Sequence, residues 1–362
     1  MKKIRVLIVD DSPLVRRVLT EILSSDPDIE VVGSAMDPYI AREKIKKLNP
    51  DVLTLDVEMP KMDGIKFLDN LMRLRPMPVV MISSLTEKNA DVTLKALELG
   101  AFDFISKPRN EIANELENYS SEIISKIKAA SRAKVQARST TSVEIDGQME
   151  NDIDERFSAT IILKRHRVLA KPDISGKIIA IGASTGGTEA IKEILLALRP
   201  DSPGIVIAQH IPKAFSKAFA VRMDSMSQLK VQEAYDGQII MAGNAYIAPG
   251  DKHLLIVKDG KQYRCKLNDG PPVNRHKPSV DVLFRSVAQV VGKNSIGILL
   301  TGMGSDGARG LLEIMESGGT TIAQDEITSV VWGMPGAAVE MGAANYILPL
   351  NKIPSKIETK NQ

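Results

Sequence analysis

Three aspartates stand where strands of a parallel sheet are predicted to end. Asp10 and Asp11 follow the apolar run Ile4–Val9, and Asp56 follows the apolar run 52–55. The carboxyl ends of neighbouring parallel strands meet at one edge of a sheet, so we expect the three carboxylates to lie close together. Carboxylates gathered in this way repel one another unless a proton or a hard cation neutralises them, and Mg²⁺ prefers such oxygen ligands. The spacing therefore predicts a magnesium site.

A lysine and a serine follow two further predicted strands of the same series. Lys107 comes after the apolar run 102–105, and Ser83 comes after the run 79–82. A carboxylate beside a divalent cation, an ammonium group and a hydroxyl donor is the set that a phosphoryl acceptor requires, because phosphoryl transfer depends on positioning and charge neutralisation. A single aspartate at a strand end more often caps a helix. Five residues with matching roles favour the phosphoryl acceptor.

The first 130 residues alternate short apolar runs with segments of helical spacing. Five such runs predict a parallel, doubly wound sheet, because parallel neighbours need helical crossovers. With its motifs at residues 9–12, 55–64, 82–84 and 104–108, this region resembles the receiver domains of two-component response regulators. The resemblance covers residues 1–125 and implies a flavodoxin-like fold with a parallel five-stranded sheet.

The resemblance also implies roles for the residues at the strand ends. Asp56 is the expected site of phosphorylation by a histidine kinase, and Mg²⁺ is expected on Asp10 or Asp11, Asp56 and the Glu58 carbonyl. The switch residues expected to respond to the phosphate are Ser83, Phe104 and Lys107. Phe104 stands where many receivers carry a tyrosine, so a hydrogen bond from that ring's hydroxyl is absent.

A glycine-rich turn in the second half of the chain carries a candidate nucleophile. Gly182, Ser184 and Gly186 follow the apolar run 178–181 and precede a segment with helical spacing. Small flanking residues let a serine occupy a tight strand-to-helix turn, where backbone N–H groups favour a developing oxyanion. A glycine-rich loop between a strand and a helix also binds phosphates. The motif alone predicts nucleophile and anion-binding loop equally.

A general base would favour the nucleophile, and the chain has four histidines. His166 lies among charged residues, and His253 opens an apolar run, which is a plausible structural position. His276 lies in a proline-rich loop that is a candidate pocket lining. His210 directly follows the apolar run 204–208, at the sheet edge where Ser184 is also expected. This position makes His210 the favoured base, ahead of His276.

The acid that orients the base is expected at a third strand end. Asp306 lies on a glycine-rich turn after the apolar run 296–300. Asp281 and Asp251 are weaker candidates, because neither follows a convincing strand. An aspartate in such a turn is also a common helix cap. A Ser–His–Asp triad is defined by its geometry rather than by chain order.

The motifs at residues 182–187, 209–212 and 302–308 resemble the catalytic domain of chemotaxis response-regulator protein-glutamate methylesterases, the CheB family. The resemblance covers residues 176–352 and implies a Rossmann-like α/β domain that needs no cofactor at its catalytic site. It implies Ser184 as nucleophile, His210 as base and Asp306 as orienting acid. The backbone N–H groups of Thr185 and Met303 are expected to stabilise the oxyanion.

The implied activity is hydrolysis of glutamate γ-methyl esters, with deamidation of glutamines, on chemoreceptors. The expected partners are a chemotaxis histidine kinase and methyl-accepting chemoreceptors, and the unphosphorylated receiver is expected to cover the catalytic site. A regulator that binds nucleic acid is disfavoured, because no basic helix-turn-helix follows residue 177. A catalytically inactive scaffold is disfavoured because the triad residues are all present.

Composition fits this organisation. At roughly 150 residues per domain, the 362 residues suggest two domains and a linker. We predict a receiver at 1–125, a linker at 126–175 that begins with the receiver's closing helix, a catalytic domain at 176–352 and a tail at 353–362.

The net charge of +2 gives no overall attraction to nucleic acid, and the basic residues of the linker are interpreted as a solvated helix face. The single Cys265 excludes an intramolecular disulfide, and without a signal peptide or a membrane span the protein is expected in the cytoplasm.

Overall fold

The computed structural model describes residues 2–59, 62–84, 86–107, 116–133 and 176–359. The first part contains one sheet of five parallel strands in the order β2-β1-β3-β4-β5, which confirms the flavodoxin-like receiver fold. Its elements are β1 Ile4–Val9, α1 Pro13–Ser24, β2 Ile29–Ala35, α2 Pro38–Leu48, β3 Val52–Asp56, α3 Gly64–Leu74, β4 Val79–Ser83, α4 Glu87–Glu98, β5 Asp103–Ser106 and α5 Leu116–Arg132.

Helices cover both faces of this sheet because its strands are apolar on both sides. Val6 and Ile8 of β1 pack with the cluster formed by α1 and α5, while Leu7 and Val9 point to the opposite cluster. Strand β1 stops where Ser12 caps α1 by accepting a hydrogen bond from the backbone of the first turn. The acidic residues at the end of β1 therefore lie between the strand and the first turn of α1.

The second part contains a sheet of seven parallel strands in the order β14-β13-β12-β6-β7-β9-β8, which confirms a second α/β domain. Its elements are β6 Ile178–Ala183, α6 Gly187–Ala197, β7 Gly204–Gln209, α7 Lys213–Met226, β8 Lys230–Glu233, β9 Asn244–Ile247, β10 His253–Asp259, β11 Gln262–Asn268, α8 Val280–Val290, β12 Ser295–Leu299, α9 Ala308–Glu316, β13 Thr320–Gln324, α10 Met334–Glu340, β14 Tyr346–Leu348 and α11 Ile353–Thr359. Strands β10 and β11 form a separate antiparallel hairpin.

The boundaries of the two domains differ in detail from the sequence prediction. Helix α5 continues to Arg132, past the predicted domain end at residue 125, and residues 134–175 of the predicted linker lie outside the described residues. The predicted tail begins with α11, which buries Ile353 and Ile357 in the core. Among the described helices, none combines the length and the apolar character that a bilayer span requires.

The receiver packs directly against the second domain. One hydrophobic cluster runs through both, and α4 lies against α7. At the centre of the contact, the ring of Phe104 on β5 stacks on that of Phe215 on α7 with centroids 4.7 Å apart. The two rings are 6% and 0% exposed, so each domain buries an aromatic ring of the other.

Candidate active site and phosphoacceptor pocket

The receiver brings its three strand-end aspartates together. Carboxylate oxygens of Asp10, Asp11 and Asp56 all lie within 4.8 Å of one another. Asp10 and Asp56 are buried, whereas Asp11 is exposed. Strands β1 and β3 are adjacent in the sheet, and this adjacency brings the ends of the two strands to one point. Three oxygen donors of this kind, two buried and one open to solvent, fit a hard divalent cation that keeps some of its waters.

Lys107 supplies the positive charge of this pocket. Its Nζ lies 2.7 Å from Asp56 Oδ2 and 3.2 Å from Asp10 Oδ2. Burial raises the pKa of Asp56 to about 6, against the opposing effect of the Lys107 hydrogen bond. Burial alone would lower the pKa of Lys107, but its bonds with the two carboxylates outweigh that effect and raise it. The pocket therefore holds more negative charge than its lysine neutralises.

The remaining receiver residues have separate environments. Glu58 donates its backbone N–H to Asp56 Oδ1 at 3.2 Å, so the chain after β3 folds back over the Asp56 carboxylate. Ser83 is buried at the end of β4 and accepts a hydrogen bond from the Thr93 hydroxyl at 2.9 Å. Phe104 points into the contact with the second domain rather than into solvent.

Strand register in the second domain places Ser184 beside His210. Ala183 and Gln209 form the last registered pair of β6 and β7, and the His210 N–H donates to the Ala183 carbonyl at 3.1 Å. Ser184 and His210 are the next residues on the two strands. Ser184 also donates its backbone N–H to the Thr301 carbonyl beyond β12 at 3.0 Å. Three strand ends therefore meet at the serine.

The acid of the predicted triad lies against the imidazole. His210 Nε2 is 2.9 Å from Asp306 Oδ2, and because a carboxylate oxygen only accepts, this nitrogen carries the proton. His210 Nδ1 is buried and forms no hydrogen bond within the part of the chain that the structure describes. The orientation of the ring thus leaves Nδ1 as the nitrogen that is free to accept a proton.

Asp306 is held by hydrogen bonds at the N-terminus of α8. Its oxygens accept from the backbone N–H groups of Val280 and Asp281 at 2.7 and 3.2 Å, the Ser279 hydroxyl at 2.8 Å and the Asn274 amide at 2.7 Å. Burial raises the pKa of this carboxyl, but the His210 ring and these donors hold it well below the usual aspartate range. Asp306 therefore stays ionised and cannot turn away from the imidazole.

The weaker candidates of the sequence analysis occupy other positions. Asp281 accepts from the backbone N–H groups of Gly307 and Gly310, so it ties α8 to α9. Asp251 pairs with Lys213 at 2.8 Å, and no contact joins it to His210 within the described residues. The alternative base His276 stacks on His210, as discussed below.

The two remaining histidines are His253 and His166. His253 Nδ1 accepts the backbone N–H of Ser279 at 3.1 Å and its Nε2 lies 3.0 Å from the Pro271 carbonyl, which is a structural arrangement. His166 lies outside the described residues.

Hydrogen bonds to its carbonyl oxygens fix the turn that carries Ser184. The Ser184 carbonyl accepts from the Gly187 N–H at 2.7 Å and from Gln209 Nε2 at 2.9 Å. A Cβ at Gly302 would lie 2.7 Å from the Ser184 Cβ, so only glycine allows the β12 loop to approach the serine. This approach brings Met303 to the same edge as Thr185, and the backbone N–H groups of both donate to no acceptor among the described residues.

The receiver lies over this edge of the second domain. The Thr185 hydroxyl donates to Asp103 Oδ2 of β5 at 2.7 Å, and Lys126 Nζ of α5 lies 3.4 Å from the same oxygen. On α4, Glu98 pairs with Lys192 at 3.0 Å and with Arg222. We call these contacts, together with the Phe104–Phe215 pair, the interdomain contact. The residue directly after the candidate nucleophile is thus bonded to the receiver.

Several of these residues were not singled out from the sequence. Ser279 precedes a helical pattern and is recognisable as a helix cap, but its bond to Asp306 is not. Asn274, Asp103 and Glu98 lie in no motif that we recognised. Gln209 directly precedes His210 in a family motif. This motif is the sequence feature that could have indicated its hydrogen bond to the Ser184 carbonyl.

Comparison with known proteins agrees with both halves of the chain. Residues 179–357 match the CheB methylesterase family, and residues 6–117 match the response regulator receiver domain. A protein-glutamate methylesterase/protein-glutamine glutaminase of Hydrogenovibrio crunogenus is 57% identical, with 99% of this chain and 98% of that protein covered. A relative of the same name in Xanthomonas campestris is 56% identical, with 98% and 96% covered.

A solved structure extends this similarity to the fold. The catalytic domain of the CheB methylesterase of Thermotoga maritima is 41% identical and superposes with a TM-score of 0.50, covering 51% of this chain and 98% of that domain. Identity over nearly the whole length, in both domains, exceeds what shared architecture alone produces. The chain therefore belongs to the CheB methylesterase family, the protein-glutamate methylesterases/protein-glutamine glutaminases, with a response regulator receiver domain joined to its catalytic domain.

Proposed function

We propose that this protein is a phosphorylation-gated serine hydrolase that cleaves glutamate γ-methyl esters, and deamidates glutamines, on the cytoplasmic helices of chemoreceptors. The observation that carries the proposal is the 2.9 Å contact of His210 Nε2 with Asp306 Oδ2, which leaves Nδ1 for the serine on the adjacent strand end. The family supplies the ester and amide chemistry, and the arrangement supports Ser184, His210 and Asp306 as its triad.

The reaction uses the two nitrogens of His210 differently. As Ser184 Oγ attacks the ester carbonyl, its proton passes to His210 Nδ1, while Asp306 stabilises the imidazolium through Nε2. The backbone N–H groups of Thr185 and Met303 stabilise the oxyanion. The imidazolium returns the proton to the leaving methoxide, so methanol departs and an acyl-serine forms. Water then attacks the acyl-serine by the same route and releases glutamate. With glutamine as substrate, ammonia departs in place of methanol.

The receiver gates this reaction through the interdomain contact. Asp103 engages Thr185 directly after the nucleophile, so a protein substrate cannot reach Ser184 while the contact persists. Phosphorylation of Asp56 by a histidine kinase changes the charge at the end of β3. Ser83, Phe104 and Lys107 transmit that change to β5 and the interdomain contact. Phe104 suits this role because its ring belongs to both the receiver core and the contact.

Magnesium fits the receiver pocket, because its three carboxylates lie together and, among the described residues, Lys107 is the one lysine that pairs with them. Asp10, Asp11, Asp56 and the carbonyl of Glu58 would hold the ion. When bound, it neutralises charge on the phosphoryl group during transfer. Lys107 then binds the phosphoryl oxygens, and Ser83 offers its hydroxyl to them.

Methanol release from methylated receptor tests the catalytic proposal. We expect the full chain to release methanol, and Ser184→Ala to lose the activity to the uncatalysed background while keeping the wild-type melting temperature. Ser305→Ala, on the exposed turn beside Asp306, is the matched control and should retain the rate. Methanol release by a folded Ser184→Ala variant would contradict the assignment of the nucleophile.

A small phosphodonor tests the gating separately. With Mg²⁺ present, the phosphodonor should raise the wild-type rate, whereas Asp56→Asn should keep the basal rate and show no increase. Asp11→Asn retains the acceptor carboxylate and should be stimulated at higher Mg²⁺ concentrations. Stimulation of Asp56→Asn equal to that of the wild type would place the phosphorylation elsewhere.

A further inference from the structure

A second imidazole lies on the face of the first. The rings of His276 and His210 stack with centroids 3.7 Å apart and planes 9° from parallel. Asp306 meets only the edge of the His210 ring, through Nε2, so a single hydrogen bond there leaves the ring able to rotate about that contact. A flat group on the ring face restricts that rotation, because tilting the imidazole would drive it into its neighbour.

The backbone that presents His276 is specialised for this position. Val273 and His276 exchange backbone hydrogen bonds at 3.0 and 2.9 Å across a tight turn. The two residues between them, Asn274 and Arg275, have φ values of 52° and 69°, a left-handed conformation that costs non-glycine residues roughly 1 kcal/mol each. Asn274 offsets part of this cost, because its amide bonds Asp306. One turn therefore touches both the acid and the base of the triad.

The stacked ring is also uncharged when the base works. Burial, with the neighbouring His210 acting in the same direction, lowers the pKa of His276 to about 4. Asp306 and Glu122 oppose these effects, and Lys126 adds to them. A neutral ring face next to His210 adds no repulsion when His210 takes up the serine proton.

We propose that His276 is a positioning residue of the hydrolase, whose uncharged ring fixes the plane of the His210 imidazole so that Nε2 faces Asp306 and Nδ1 faces Ser184. This inference rests on the proposed function, since it assigns His276 to the same triad. The flat ring and not its nitrogens does the positioning. Phenylalanine should therefore replace it, and an aliphatic side chain of similar bulk should not.

The test measures methyl ester hydrolysis by the full chain, activated with phosphodonor, in the His276→Phe and His276→Leu variants. We expect His276→Leu to lower kcat by about 100-fold with KM within twofold, because a displaced base slows the chemical step without removing substrate contacts. His276→Phe should stay within about fivefold of the wild type. Val273→Ala truncates an exposed side chain of the same turn but keeps its backbone hydrogen bonds with His276, so it should retain the wild-type kcat.

Nitrogen NMR of ¹⁵N-labelled imidazoles supplies a readout that does not depend on catalysis. In the wild type and His276→Phe, the neutral His210 ring should carry its proton on Nε2, and in His276→Leu the two tautomers should mix. A folded His276→Leu variant with wild-type kcat and a single tautomer would overturn the proposal, as would equal losses in the Phe and Leu variants. A wild type without esterase activity but with the expected tautomers would refute the proposed function alone.

Discussion

Two aspartates in this protein stand at strand ends in neighbouring α/β domains, and their environments are opposite. Asp56 is buried beside a second carboxylate, with one lysine and one backbone N–H as donors, and its pKa rises to about 6. Asp306 is equally buried but accepts hydrogen bonds from five groups, and its pKa falls. Burial raises the pKa of both carboxyl groups. The number of hydrogen-bond donors therefore decides whether the pKa ends above or below its usual value.

The difference matches the work proposed for each carboxylate. An acceptor of a phosphoryl group must have an oxygen that is not saturated by hydrogen bonds, and it tolerates an unfavourable charge that a cation relieves. A carboxylate that orients an imidazole must remain ionised and immobile, and several donors enforce both properties. Four predictions test this contrast, and a fifth tests the interdomain contact between the two domains.

The largest effect is expected from Asp306→Asn on catalysis. An asparagine amide facing His210 Nε2 favours the tautomer with its proton on Nδ1, which cannot accept the serine proton. We expect kcat to fall roughly 10³–10⁴-fold, with or without phosphodonor. Steady-state methanol release measures this, and a loss below tenfold in a folded variant would exclude Asp306 as the orienting acid.

The same substitution at the two positions should change stability with opposite sign. In Asp306→Asn, either orientation of the amide sets an NH₂ group against backbone or side-chain donors, at a cost of about 2–4 kcal/mol. In Asp56→Asn, a repelled buried charge disappears while Lys107 keeps Asp10 as a partner at 3.2 Å, for a gain of about 1–2 kcal/mol at pH 8.

Their pH dependences should differ as well. The raised pKa of Asp56 makes its ionisation destabilising, so the advantage of Asp56→Asn should grow as pH rises from about 4 to about 6 and then level off. The lowered pKa of Asp306 is stabilising above the aspartate pKa of the unfolded chain, so the deficit of Asp306→Asn should shrink as pH falls below about 4. Urea unfolding without Mg²⁺ measures both, and shifts of the same sign would refute the contrast.

Magnesium should stabilise the receiver through its acidic pocket and leave the catalytic edge unaffected. At a free concentration about ten times Kd, the ion should add about 1.4 kcal/mol to the unfolding free energy. Asp56→Asn should reduce this gain, and Asp306→Asn should not. Thermal unfolding with Mg²⁺ and after chelation gives the values, and an equal gain in both variants would place the ion elsewhere.

The smallest effect is expected at the interdomain contact. Glu98→Gln removes the carboxylate shared by Lys192 and Arg222, a partly exposed ion pair worth about 1 kcal/mol. The basal rate should therefore rise about fivefold, and the phosphodonor-activated rate should stay the same. Glu189→Gln is the matched control, because Glu189 pairs with the same lysine within one domain. An unchanged basal rate in Glu98→Gln would show that this pair does not hold the domains closed.

The sequence predicted well what depends on regular spacing. Strands β1 to β5 are apolar runs at an even interval in the sequence, and an aspartate directly after such a run can be recognised from the sequence alone. Because neighbouring parallel strands end at the same edge of a sheet, the Asp10–Asp56 pocket could be predicted. The central strands β6, β7 and β12 were expected for the same reason. Strands β11 and β14 were not, because the first alternates polar and apolar residues in a hairpin and the second has three residues.

Contacts that depend on turns or on domain docking could not be predicted from the sequence. His276 was expected as part of a pocket loop and as the alternative base. Its stacking on His210 was not, since a turn with two left-handed residues has no periodicity that indicates where a ring points. Glu98 and Arg222 are 124 positions apart, and their pairing follows from how two complete domains fit together. The residues of the proposed triad, Ser184, His210 and Asp306, were easier to identify from the sequence, because each follows a strand.

The interdomain contact also limits how this protein can exchange parts with its relatives. The pairs that join the two domains, such as Phe104 with Phe215 and Asp103 with Thr185, take one member from each domain. A receiver domain transplanted from a distant relative would carry its own contact residues and face the catalytic domain of this protein. An aromatic ring or a carboxylate of one domain would then lack its partner on the other. Recombination between such genes is therefore constrained at the surfaces that meet, and the inherited unit is the matched pair of domains.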